Sequence, residues 1–205
     1  MIKAIIFDID GVLADSFEAN HKFYNKLIKL LGYKKILTKR DFRKHFFKPL
    51  KGLLKDTINA SDELIEQSIE LAKSIKRFKT KIPKDSVKVL KILSRKYKLA
   101  LVTNRIVLGL KDYFYQSRVN PKLFKTVITV EDVKNHKPDP EALLLVCKRL
   151  KIKPSEAIYI GDALSDWVAA RASGMNFILY GRENVKGVAL KAKNFKNLLT
   201  VINNF

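Results

Sequence analysis

The chain has 205 residues, 47% hydrophobic and 10% aromatic, which is enough for a packed core and too apolar for a disordered chain. Forty-one Lys and Arg against 20 Asp and Glu leave a formal charge of +21, a surface that draws anions without choosing among nucleic acid, acidic lipid and phosphorylated metabolites. The single cysteine, Cys147, excludes an intrachain disulfide and a Cys-rich metal site, and no stretch approaches the roughly 20 apolar residues that span a bilayer.

Residues 3–8 (KAIIFD) read as a short central strand, apolar without clean alternation. Asp8 and Asp10 interrupt this run too early for a secretory leader, so the expected compartment is the cytoplasm. Strand residues i and i+2 point the same way, which would crowd both carboxylates into one small space. Such a pair needs a cation, a shared proton or a chemical task.

Residues 16–82 change character. FEANHKFYNKLIKLLGY predicts an amphipathic helix closed by Gly32. TKRDFRKHFFKPL predicts a second, capped by Thr38 and stopping near Pro49. Asn59 or Ser61 can cap a third in ASDELIEQSIELAKSIKRFK, whose acids lie toward its start and lysines toward its end. No strand is expected here, so the segment reads as an inserted helical module with hinges near residues 14–17 and 81–84.

Beyond Pro83 helix and strand alternate. DSVKVLKILSRKY predicts a helix, followed by the strands KLALVT, TVITV, AIYIG and NFILY at intervals filled by helices or loops. Strands separated by helices argue for a parallel sheet covered on both faces. The first strand must join it, since alone it would leave an unpaired edge. EALLLVC places Cys147 in an apolar helix as a structural thiol, and the last residues predict a short strand or turn and a final helix.

Four polar clusters fall at strand ends: Asp8 with Asp10; Thr103-Asn104-Arg105; His136-Lys137-Pro138; and Gly161-Asp162 with Asp166. Open α/β sheets bind ligands beyond the carboxyl ends of their strands, so these separate stretches are expected to converge. Each has a plainer reading. Asp10-Gly11 alone is a turn signal, Thr103-Asn104 a helix cap, Lys137 one surface lysine among many, and Asp162 with Asp166 a helix start. His21, His45 and His136 read as packing or surface residues. Together the clusters fit a hard divalent cation, with Mg²⁺ the expected cofactor: it takes oxygen ligands, and three histidines and one helical cysteine leave little for zinc. Lys137 could balance the remaining charge, Thr103 and nearby N–H groups could hold phosphate oxygens, and Gly11 could let the backbone approach an anion.

These clusters resemble the motifs of the haloacid dehalogenase-like hydrolase superfamily, in its phosphoglycolate-phosphatase-like and β-phosphoglucomutase-like branch. DIDGVLADS is similar to the opening motif, LVTNR to the second, HKPDPE to the third and IGDALSDWVAARASGM to the fourth, in the expected order over nearly the whole chain. The resemblance implies a Rossmann-like α/β core, residues 1–15 and 83–205, with an inserted all-helical cap over 16–82. By the same resemblance, Asp8 is the nucleophile that becomes an aspartyl-phosphate, and Asp10 the acid/base. Asp8, the Asp10 carbonyl and Asp162 are Mg²⁺ ligands supported by Asp166; Thr103 and Asn104 hold the phosphoryl group; Lys137 steadies the nucleophile and the charge of the transition state.

The implied activity is hydrolysis of a small anionic phosphomonoester, phosphoglycolate among the candidates, by a monomer or homodimer with no membrane partner. Asp10 separates the chain from the dehalogenases, which lack that second aspartate. The alternative is a sugar-phosphate mutase, but mutases carry a histidine near the position of Asn20, and here His21 is one residue off. A nucleic-acid-binding protein is the non-enzymatic rival; it gives no reason to gather Asp8, Asp10, Asp162 and Asp166, and no interleaving of aromatic and basic residues supports it. Substrate choice is expected to belong to 16–82, which holds 17 Lys and Arg against 7 Asp and Glu, with Arg40, Arg43, His45, Lys48 and Lys51 in the segment best suited to meet an anion.

Overall fold

A computed structural model describes residues 1–34 and 36–205. The chain divides into two compact units, residues 1–15 with 81–205 and residues 16–80. Strand β1 (Ala4–Phe7) opens the first. The second consists of α1 (Phe17–Leu30), α2 (Lys39–His45), α3 (Leu50–Ile58) and α4 (Asp62–Ser74). The chain then returns through α5 (Ser86–Leu93), β2 (Lys98–Val102), α6 (Val107–Ser117), β3 (Phe124–Ile128), α7 (Glu141–Leu150) and β4 (Ala157–Gly161). It ends with α8 (Leu164–Ser173), β5 (Asn176–Tyr180), β6 (Lys191–Ala192) and α9 (Phe195–Asn203).

The six strands form one sheet in the order β3-β2-β1-β4-β5-β6, and every pairing is parallel. β1 lies in the middle, with Phe7 opposite Leu101 on one side and Ile160 on the other. Strand alternation sorts the core into two layers. Ile5, Phe7, Leu99, Leu101, Ile158 and Ile160 face α5, α6 and α9 through Leu90, Tyr113 and Phe195. Ala4, Ile6, Ala100, Val102 and Tyr159 face α7 and α8 through Leu143, Val146 and Ala169. Burial on both faces is why these strands read as unbroken apolar runs, as the expected α/β class requires.

In the helical unit, Thr38 caps α2 by accepting from the Asp41 N–H, and Ser61 caps α4 by accepting from the Leu64 N–H. Asn59, offered above as a cap for this last helix, instead closes α3 in the left-handed conformation at φ 51°. Helix α3 was not anticipated, and the helix begun at Thr38 ends at His45, short of Pro49. Phe42, Leu53, Leu54 and Ile65 form one apolar cluster of the unit, and Phe23, Leu27, Ala72 and Ile75 a second. At the junction of the units, Asp15 and Lys81 pair as an isolated antiparallel bridge. Among the described residues no helix is long and apolar enough to cross a membrane.

Candidate active site

β1 ends at Phe7, so Asp8 and Asp10 stand in the turn beyond the strand and not within it, as the sequence reading had placed them. The Asp8 N–H still donates to the Ile160 carbonyl at 2.9 Å, which carries the ladder with β4 one residue further. Asp8 Oδ1 accepts from the Ile9 N–H at 2.7 Å, and Oδ2 lies 3.1 Å from Lys137 Nζ. Asp10 is held separately, by Arg105. Arg105 Nε donates to Asp10 Oδ2 at 2.8 Å and Nη2 to Oδ1 at 2.6 Å.

Gly11 sits in the same turn at φ 77°, where a side chain is strained. A Cβ there would lie 1.7 Å from Asp162 Oδ2, so the close approach that demands glycine is that of the Asp162 carboxylate. Gly161 plays the same part for Asp166, whose Cβ would lie 2.4 Å from a Cβ added at 161. Both glycines make room for carboxylates of the cluster.

Asp162 follows β4 directly, and Asp166 stands in the first turn of α8. Asp166 Oδ2 accepts from the N–H groups of Asp162 and Ala163, both at 3.1 Å, and so caps its own helix start. Its Oδ1 accepts from Lys137 Nζ at 2.8 Å and from the Tyr159 hydroxyl at 2.9 Å. Lys137 Nζ also donates to the Tyr159 oxygen at 2.8 Å, so three oxygens surround a buried ammonium. Thr103 is buried after β2; its N–H donates to the Ile128 carbonyl and its Oγ1 accepts from the Arg105 N–H at 3.2 Å. Asn104 is half-buried in the same turn.

Burial, then the neighbouring Asp166 and Asp10 carboxylates, push Asp8 up to about 7 against the pull of Lys137. Burial and the Asp166 and Asp8 charges likewise raise Asp162 well above the usual carboxylate range. Burial works against the Lys137 ammonium, yet Asp166 and Asp8 outweigh it and hold its pKa above the usual value. Tyr159 is raised well above its usual value by burial and the same acids, so it stays a neutral hydroxyl.

Asp8, Asp162 and Asp166 each offer an oxygen within 4.8 Å of the others. Asp162 Oδ1 is buried and has no hydrogen-bond partner, which is costly for a carboxylate unless something positive meets it. Three carboxylates, one of them Asp162 with its orphaned oxygen, fit a divalent cation of the Mg²⁺ kind.

The structure brings Asp8, Lys137, Asp162 and Asp166 into one buried cluster with Gly11 close against Asp162, and links Thr103 to Asp10 through Arg105. Two members carried no role in the sequence reading. Arg105 stood in the second cluster unassigned, and Tyr159 was read only as strand. The available signal for Tyr159 was a tyrosine in a fully buried strand, whose hydroxyl must find a partner.

In the helical unit, His21 Nε2 lies 2.7 Å from the Leu37 carbonyl and its ring stacks on Phe17. His45 and Lys48 meet Asp56, Lys51 meets Asp62, and the Arg43 guanidinium lies 4.6 Å over the Phe17 ring. Four of the five basic residues named above therefore have contacts inside their own unit.

A family model described as haloacid dehalogenase-like hydrolase matches residues 5–180. The chain is 28% identical over 187 residues to the pyrophosphatase PpaX of Bacillus pumilus, covering 84% of this chain and 80% of that protein. It is 27% identical over 213 residues to a phosphorylated carbohydrates phosphatase of Thermotoga maritima, covering 97% and 90%. A crystal structure of a HAD-superfamily hydrolase of subfamily IA from Geobacter sulfurreducens superposes with a TM-score of 0.72 at 26% identity, over 98% of this chain and 96% of that one. The family model spans most of the chain, and the chain belongs to the haloacid dehalogenase-like hydrolases.

Proposed function

We propose that the protein is a Mg²⁺-dependent phosphatase that hydrolyses a small phosphomonoester through an aspartyl-phosphate on Asp8. The observation that carries the reading is the orphaned, buried Oδ1 of Asp162 beside Asp8 and Asp166. Asp8, the Asp10 carbonyl and Asp162 would hold the ion, with Asp166 orienting the cluster; Asp166 already accepts from two backbone N–H groups, Lys137 and Tyr159. A bound divalent cation would offset the repulsion among the acids, lower the Asp8 pKa and withdraw charge from phosphoryl oxygens.

The chain's own residues supply the rest. Asp8 Oδ attacks phosphorus as the ester oxygen leaves, and Asp10 gives that oxygen its proton. Asp10 then takes a proton from the water that releases phosphate from Asp8. Lys137 balances charge at Asp8, and Thr103 with Asn104 receives the phosphoryl oxygens. The relatives, a pyrophosphatase and a phosphatase of phosphorylated carbohydrates, support phosphoryl chemistry and divide on the leaving group. Phosphoglycolate and sugar phosphates are the esters we favour, since a +21 chain attracts compact anions. The contacts of His21 Nε2 with the Leu37 carbonyl and Asn25 support hydrolase over mutase, because they tie the ring down within the helical unit.

A phosphate-release screen over phosphoglycolate, sugar phosphates, nucleotides, pyridoxal phosphate and pyrophosphate tests this. Activity is expected to vanish in EDTA and return with Mg²⁺. Undiminished turnover in thoroughly metal-stripped protein would overturn the reading.

A further inference from the structure

We propose that Arg105 is the positioning residue for Asp10, holding it by a two-pronged grip whose shape, beyond its charge, sets the rate. The proposal rests on the reading of Asp10 as the acid/base and concerns its ionised form, which takes the proton from the attacking water. Arg105 follows Thr103 and Asn104 in the turn after β2, 95 residues from Asp10 in sequence. Its Nε and Nη2 each take a different Asp10 oxygen, at 2.8 and 2.6 Å, the side-on arrangement that only a planar guanidinium offers.

The grip is itself anchored. Arg105 Nη1 donates to the Gly109 carbonyl in α6 at 3.1 Å. The Arg105 N–H is tied to Thr103 Oγ1 at 3.2 Å, and its carbonyl accepts from the Val130 N–H at 3.2 Å. The Arg105 side chain is 12% exposed and that of Asp10 19%. The guanidinium is thus tied to α6 and the backbone to its own turn and to Val130 beyond β3, whereas Asp10 stands in a turn after the strand has ended. Two parallel hydrogen bonds from a fixed plane define both the distance and the rotation of a carboxylate; a single bond or a point charge defines neither. A misplacement of about 1 Å in a catalytic group can cost about 10²-fold in rate. Lysine at 105 would keep the charge and lose the geometry.

The test compares Arg105→Lys and Arg105→Ala in the natural and the Asp10→Asn backgrounds. The probe is p-nitrophenyl phosphate with Mg²⁺, a chromogenic ester whose turnover includes the attack of water on the acyl-phosphate. Melting temperatures are read alongside. Arg105→Lys is expected to keep its melting temperature and KM while kcat falls about tenfold, and Arg105→Ala to fall about 10²-fold. In the Asp10→Asn background neither change should slow the residual rate further, because Arg105 acts through the group already removed. Arg105→Lys at the natural kcat would overturn the proposal, as would losses of equal size in both backgrounds. Asp10→Asn at the natural rate would overturn the role of Asp10 and this proposal with it. A slow Asp10→Asn beside a fast Arg105→Lys overturns this proposal alone.

Discussion

Of the three oxygens around the Lys137 ammonium, two belong to acids and one to Tyr159. The phenol is fully buried, donates to Asp166 and accepts from Lys137, so it completes a closed ring of hydrogen bonds beneath Asp8. Tyr159→Phe keeps the shape and removes the oxygen, leaving a buried ammonium proton without its acceptor. Such a loss costs about 1–3 kcal/mol. At roughly 2–4 °C per kcal/mol for a chain of this size, the melting temperature should fall by several degrees. With Lys137 less firmly aimed, kcat should fall by a similar factor on every ester tested; an unchanged melt and unchanged kcat would show the hydroxyl to be idle. The acids were legible because each lies in a short run just past a strand, and Lys137 because its run falls in the connection after β3. Tyr159 and Arg105 were not, because their meaning lies in partners 22 and 95 residues away, and local spacing carries no trace of that distance.

Helix ends show a similar division between local and distant information. Thr38 and Ser61 were readable as caps because a side-chain oxygen before a helical run satisfies an N–H two or three residues on. Helix α3 escaped notice because LKGLLKDTI is short and contains Gly52, and what holds it is the burial of Leu53, Leu54 and Ile58 against partners such as Phe42. Ser61→Ala should destabilise α4 by about 0.5–2 kcal/mol, whereas Ser61→Asp should not. Hydrogen exchange checks this: in the alanine variant the amides of the first turn of α4 should exchange faster, Leu64 foremost, while those of β1 and β4 keep their protection. Equal acceleration in both units would mean that they open together. The cap was thus legible as helical, and its interior packing was not.

At the scale of the molecule, parallel strands were legible because helical patterns separate them, but their order was not. Adjacency in a parallel sheet is decided by which crossovers pack best, and no single run records that choice. The outcome is that the first strand occupies the middle. β1 needs β2, whose paired residues begin at Lys98, and β4, whose paired residues begin at Ala157. During synthesis at about 5–20 residues per second, AIIF therefore waits roughly 8–30 s after leaving the ribosome before its second neighbour has been made. The helical unit, one unbroken stretch of residues 16–80, can assemble during that wait. Nascent chains halted at successive lengths should show proteolytic protection of 16–80 well before that of residues 4–7, reversing the usual precedence of the amino terminus. Protection of both at the same length would refute that order. Until β4 emerges, the strand that leads into Asp8 keeps one apolar edge unpaired, open to any other strand it meets.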